Sequence, residues 1–301
     1  MAAMTSPLLP PPLLPLPQSP EYARACAALG VPCRSGEEIF DGGAALRWQV
    51  QARRLPLLGE VSLLSRGPVT AAPAAAEAWL RELPTPGPLL LNAEGVSAGA
   101  LRGAGFWPLL TPATLALLPL GPPEQMRRAL RQKWRNRLTR AEGAGLSLRR
   151  LPLHGGHWLL EAELAQARAR RYRNLPPGFI VAYARATPEA ALIWEARRGG
   201  APLAAIAVLR HGRMASWTTG VTTPQGRAAN AMNLLLWAAM RWLAERGHEQ
   251  LDLGMLNGDD APGVTRFKLG TGARAHRLAG TWLRCRALAP LARRLPKGLA
   301  T

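Results

Sequence analysis

The chain has 301 residues, 48% apolar and 19% charged, a balance that suits a globular protein with a substantial core, and its formal charge is +19. Three cysteines (Cys26, Cys33, Cys285) are too few for a disulfide framework. No Cys/His spacing suits zinc, and no run of about 18 apolar residues suits a spanning helix. The charge points to nucleic acid, anionic head groups or phosphorylated substrates, or reflects a compositional bias toward arginine.

The Pro-rich start, MAAMTSPLLPPPLLPLPQSP, lacks the basic n-region of a signal peptide, and residues 1–39 read as a partly disordered, polyproline-like lead-in. Segment 45–68 predicts two strands about a Leu-Pro turn, 73–83 a helix ended by Pro84, 88–95 a strand and 97–106 a short helix. TLALLPL (114–120) predicts a buried strand. Residues 124–145 read as one long helix with Met126, Ala129, Leu130, Trp134 and Leu138 at helical spacing, followed by a strand in LSLRRLPL. The predicted boundary of a first unit, 40–150, falls there.

In the second half, 157–174 and 178–186 predict helices. Three strands follow at 191–198, 202–211 and 213–222, with hairpin turns at Gly199-Gly200 and His211-Gly212. A helix over 228–247 ends at Gly247, 248–254 is a strand, and AHRLAGTWL (275–283) is a last strand. Residues 151–283 form the second unit and 284–301 a basic tail suited to an anionic surface. The fold class is α/β (α+β), with mixed, mostly antiparallel sheets and flanking helices.

Of 38 basic residues only three are lysine: Lys133, Lys268 and Lys297. Lys268 lies in GVTRFKLGTGA, where a compact ammonium can meet a carbonyl or phosphate oxygen that a planar guanidinium would not fit. A fixed donor at a developing oxyanion is worth about 10²–10³ in rate. Asp252, within LDLG, positions Lys268 or a ligand, or else caps the backbone amides of the following loop. Phe267 would wall the pocket. Arg128, Arg131, Arg135 and Asn136 on the basic helix, and Arg171 in ARARRYRN, are candidates to hold phosphate, or simply line solvated faces. Gln225, Gly226 and Arg227, between a strand and a helix N-terminus, are the candidate pyrophosphate contacts. There is no G-x-S-x-G, and the five histidines form no metal-ligand pair, so direct attack on a bound acyl donor is expected.

KWRNRLTRAEGAGLSLRR, the strand-helix segment 202–254 and GVTRFKLGTGA together resemble the FemABX-like branch of the acetyltransferase (GNAT) superfamily, over about residues 40 to 283. The resemblance implies two tandem GNAT-like units and metal-free acyl transfer to an amine. In the family's motif the Phe-Lys pair, here Phe267-Lys268, is at the active site, and a phosphate-holding basic residue falls near Arg171. The donor would be aminoacyl-tRNA or acyl-coenzyme A. The acceptor would be a phosphate-bearing small molecule or lipid-linked precursor such as one of peptidoglycan, with tRNA and an anionic membrane surface as further partners. The loop TTPQGRAANA departs from the family's Q/R-x-x-G-x-G/A pattern, and no 50-residue helical arm for tRNA is present. The expected location is the cytoplasm, with peripheral contact at the inner face of the membrane. Two other readings stand beside this one: an acyl-coenzyme A-dependent N-acetyltransferase, and a non-catalytic basic module that binds RNA or a membrane surface.

Overall fold

The computed structural model describes residues 12–40, 44–56, 59–84, 87–286 and 288–294. Contacts divide the chain into two units. One holds the residues up to Gln18, Val31–Ala113 and those from Leu278 onward; the other holds Ser19–Gly30, with helix α1 (Pro20–Ala28), and Thr114–Arg277.

The first unit is built on β1 (Cys33–Phe40), β2 (Ala44–Leu55), β3 (Gly59–Ser65), β4 (Val69–Thr70), β5 (Leu89–Ala93), β6 (Trp107–Leu110) and the late strand Gly280–Arg284. These form a sheet ordered β1-β2-β3-β5-(280–284)-β6, with β4 beside β2; β3 and β5 are parallel and the other pairs antiparallel. The apolar faces of α2 (Pro73–Glu82) and α3 (Ala98–Gly103) share a core with it: Trp79, Leu80, Leu101, Phe106 and Trp282 are buried among Leu46, Leu64, Leu89 and Leu91. Arg284 is drawn inward as well. Its Nη1 donates to the Leu80 carbonyl at 2.6 Å and its Nη2 to that of Leu83, so it satisfies carbonyls at the C-terminal end of α2.

The second unit carries β7 (Thr114–Pro119), α4 (Pro123–Ala129), α5 (Gln132–Glu142), β8 (Ser147–Pro152), α6 (Trp158–Arg170), α7 (Pro177–Ala186), β9 (Ala191–Arg198), β10 (Ala201–His211), β11 (Met214–Thr222), α8 (Pro224–Ala228), α9 (Ala231–Ala244), β12 (Gln250–Met255), α10 (Pro262–Gly270) and β13 (Arg274–Arg277). The sheet order is β13-β7-β12-β11-β10-β9-β8, with β11 and β12 the parallel pair. Hairpin turns between β9, β10 and β11 use Gly199, Gly200 and Gly212 at positive φ, where a side chain would be strained. Leu235, Leu236, Ala239, Met240 and Leu243 on α9 bury against Trp194, Ile206 and Val208 of the sheet.

Five expectations are revised. Residues 12–39 of the Pro-rich lead-in are ordered, because Gln18 is a buried linchpin: it donates to the Gln49 and Ser65 carbonyls at 3.0 and 2.8 Å and accepts from the Gln49 amide at 2.8 Å. Residues 1–11 lie outside the described residues. The expected single helix 124–145 is two, since Leu130 and Arg131 are extended and the Arg131 amide donates to the Gly270 carbonyl at 2.9 Å. The helix 228–247 is likewise preceded by a separate turn, α8, because Asn230 adopts a left-handed conformation. Finally, contacts divide the chain near 114 rather than 150, since β7 pairs with β12 and β13. The strand expected over 275–283 is also two: β13 pairs with β7, whereas Gly280–Arg284 pairs with β5 and β6.

Candidate active site

In the second unit, backbone register creates an opening beside β12. The parallel pairing of β11 and β12 covers Met214↔Gln250, Ala215↔Leu251 and Ser216↔Asp252, after which the two strands part. On its other side β12 bulges from β7, with Asp252 opposite Leu117 but Met255 opposite Leu115. Gly254, inside this bulge, has φ +77, which favours glycine. On β11 the register against β10 also slips: Val208 faces Trp217 and Ala207 faces Thr219, so Thr218 is an extra residue.

Lys268, on α10, reaches this opening. Its Nζ donates to the Met255 carbonyl at 2.7 Å and lies 5.8 Å from the centre of the Trp217 ring. A Cβ at position 254 would lie 3.6 Å from Nζ, so the bare backbone of Gly254 is one wall of the ammonium's niche. Burial lowers the Lys268 pKa to about 8, while the carboxylate of Asp252 opposes the fall. Asp252 is buried, and its Oδ1 accepts from the Gly254 amide at 2.7 Å. It therefore fixes the strand exit by the capping bond considered from the sequence and also supplies negative potential to Lys268.

Phe267 does not stand alone. Its ring packs at 5.8 Å from Trp134 of α5 and 6.1 Å from Trp217 of β11, joining α5, α10 and the sheet into an aromatic wall. Glycines make room for it. A Cβ on Gly270 would meet Trp134 at 2.7 Å, and one on Gly220 would meet Trp217 at 2.8 Å. The bulge on β11 is braced from α6 and the segment after it. Asn174 donates to the Thr218 carbonyl and, at 3.2 Å, to Glu163, which also accepts from the Tyr172 hydroxyl at 2.9 Å.

The remaining sequence candidates have local engagements. Arg135 donates through Nη2 to the Arg128 and Leu130 carbonyls at 3.1 and 3.0 Å, which ties the α4–α5 junction. Asn136 accepts from Gln132 at 2.9 Å on an exposed face. Arg171 ends α6 in a left-handed conformation, with its side chain exposed. Gly226 is buried in α8, where a Cβ would collide with the Leu203 carbonyl and lie 2.6 Å from Thr222 Oγ1. Arg227 donates to the Thr222 carbonyl at 3.0 Å, and Gln225 is exposed beside it. Sequence reasoning missed Trp217, Trp134 and the Glu163–Tyr172–Asn174 brace. The signal for Trp217 is the S-W-T-T-G run of β11, a large ring three residues before a glycine that can accommodate it. Among the described residues no group of three or more His, Cys, Asp or Glu is placed to hold a metal, and no described helix is long and apolar enough to cross a membrane.

Residues 124–269, which contain Trp134, Trp217, Asp252, Phe267 and Lys268, match the acetyltransferase (GNAT) domain family. No curated protein matches the sequence. Among solved structures, FemX superposes with a TM-score of 0.72 at 13% identity, over 89% of this chain and 93% of FemX. A conserved protein of unknown function from Bacteroides thetaiotaomicron gives 0.54 at 10% identity, over 87% and 89%. The C-terminal domain of a protein assigned as a lysylphosphatidylglycerol synthetase, from Agrobacterium fabrum, gives 0.51 at 14% identity, over 91% and 90%. At such identities these structures speak for the fold. The match over residues 124–269 makes the chain an acyltransferase similar to the GNAT acetyltransferases, and its fold is the one seen in FemX.

Proposed function

We propose that the chain transfers an activated acyl or aminoacyl group to an amine on a phosphate-bearing acceptor, a peptidoglycan precursor being one such molecule, with Lys268 as the oxyanion donor. The observation that carries this reading is the single ammonium in the opening beside β12, flanked by bare backbone at Gly254 and by the Trp217 ring. The acceptor nitrogen attacks the donor's carbonyl carbon, and the carbonyl π pair moves onto oxygen, where the Lys268 ammonium donates. Collapse of the intermediate expels the leaving group, a thiolate or a ribose oxygen, which takes up the proton released by the amine. Phe267 and Trp217 limit water around the reacting carbonyl, and Asp252 keeps Lys268 charged near neutrality.

One feature favours an acyl-coenzyme A donor. Helix α9 starts without a side-chain cap, and Asn233 in its first turn has a buried amide nitrogen with no partner among the described residues. Free donors at a helix N-terminus suit a pyrophosphate. FemX suggests a cell-wall acceptor and the lysylphosphatidylglycerol synthetase a lipid one; both would present an anion to a chain of this charge.

The test is turnover with labelled acetyl-coenzyme A and with aminoacyl-tRNA against amine acceptors that carry phosphate, for wild type and Lys268→Ala. Loss of about 10²–10³ in kcat in the variant, with unchanged circular dichroism, is expected. Equal turnover by both proteins refutes the role of Lys268. Absence of turnover, with salt-sensitive RNA or vesicle binding that is insensitive to Lys268→Ala, would establish the non-catalytic binding module instead.

A further inference from the structure

Acyl transfer makes no use of a cluster at the far end of α9. Strand alternation puts Arg150 of β8, Trp194 of β9 and Arg210 of β10 on the sheet face that α9 covers, with Arg150 directly opposite Trp194. Trp242 of α9 packs edge-on against Trp194 at 5.6 Å. Around the Trp242 ring lie three guanidinium carbons: Arg246 at 3.9 Å, Arg150 at 4.4 Å and Arg210 at 5.2 Å from its centre.

Arg210 is held in place. Its Nε donates to His248 Nε2 at 3.2 Å and its Nη1 to the Glu189 carbonyl at 3.0 Å. Because His248 Nε2 accepts, Nδ1 carries the proton and donates to the Leu243 carbonyl at 3.1 Å. Three of the carbonyls ending α9 are already occupied, Arg241 by the Glu245 amide, Leu243 by the His248 and Arg246 amides and Ala244 by the Gly247 amide. The guanidinium groups are therefore not needed as helix caps. The acid at this end of α9, Glu245, is exposed and divided between Arg241 at 3.9 Å and Arg246 at 4.0 Å. Trp242 Nε1 is buried without an acceptor among the described residues. Burial, then the charge of Arg246, and more weakly that of Arg150, depress the Arg210 pKa, while the charge of Glu189 opposes the fall only in part.

A site with three guanidinium groups and a vacant indole donor calls for an oxyanion. We infer that the Trp242 cluster binds a phosphate group, carried either by a soluble molecule or by a lipid headgroup. It lies about 16 Å along α9 from the helix N-terminus, so it is separate from a donor pyrophosphate bound there.

The experiment uses the full-length protein and Arg150→Gln/Arg246→Gln, with the exposed pair Arg53→Gln/Arg54→Gln as a control of equal net charge. Pyrophosphate is titrated by calorimetry at constant ionic strength, and flotation is measured with phosphatidylcholine vesicles with and without phosphatidylglycerol. Saturable pyrophosphate binding by wild type and by the control, weakened about tenfold or more in the Trp242-site variant, is the expected result. Flotation lost in that variant alone assigns the phosphate to a lipid headgroup; flotation equal in all three proteins assigns it to a soluble molecule. The inference is overturned if the two double variants behave alike in both assays, or if wild type shows no saturable pyrophosphate binding. Acyl transfer by the Trp242-site variant should match wild type, and unchanged thermal unfolding excludes a folding defect.

Discussion

Replacing Lys268 by methionine should make the protein more stable at pH 7 while abolishing its chemistry. The lysine's ordinary pKa of 10.5 falls to about 8 in the fold, mainly through burial. At 1.36 kcal/mol per pKa unit, that is about 3 kcal/mol of disfavour for the charged form. The half-buried ammonium keeps part of its hydration, which reduces the figure to about 1–2 kcal/mol. Between pH 8 and 10.5 the unfolded chain binds the Lys268 proton and the folded one does not, so stability rises with pH across that window. Below pH 8 both states are protonated and the folded state bears the full cost. Methionine, similar in length and uncharged, removes the cost. Thermal unfolding should show a midpoint about 2–8 °C above wild type at pH 7, with the gain gone near pH 10.5. At that pH the wild-type amine is neutral and still donates to the Met255 carbonyl. A midpoint difference equal at the two pH values, or a less stable variant at pH 7, would refute the reasoning that an ammonium is held here against its hydration.

Three further outcomes follow from the geometry. Asp252→Asn keeps an oxygen for the Gly254 amide but removes the charge that supports Lys268, so the alkaline limb of the pH–rate profile should move below about pH 8; an unmoved limb would exclude their coupling. Gly226→Ala sets a methyl against the Leu203 carbonyl and should destabilise the protein by about 1–3 kcal/mol in denaturant melts, and a neutral result would show that α8 can shift. Arg284→Ala strips donors from the Leu80 and Leu83 carbonyls and should cost about 2–4 kcal/mol by the same assay, whereas a cost below about 0.5 kcal/mol would mark those bonds as exchangeable with water.

Much of the local structure was legible in the sequence. The three strands β9 to β11 and their Gly turns lie within a residue or two of expectation, because an apolar run bounded by Gly pairs has few alternatives. The break at Leu130-Arg131 was not legible: the residues are good helix formers, and the interruption depends on the bond from the Arg131 amide to a Gly270 carbonyl far away in sequence. The late strand Gly280–Arg284 escaped for the same reason. Its residues look continuous with 275–279, and only pairing with β5 and β6 separates it from β13.

The sequence by itself determined the chemistry available at the site. An isolated Phe-Lys pair in a Gly-rich stretch, in a chain that uses arginine for nearly all its other basic residues, singled out Lys268, and LDLG singled out the acid that lies near it. Tertiary structure decided what those residues can do. The parting of β11 and β12 after Ser216↔Asp252 opens the space, and Trp217 and Trp134 come to it from β11 and α5. Arg135, equal to its neighbours in sequence, is turned to backbone carbonyls at the α4–α5 junction. The physical reason is that a side chain's identity sets its donors and charge, whereas its burial and partners come from long-range strand register, which no local stretch encodes.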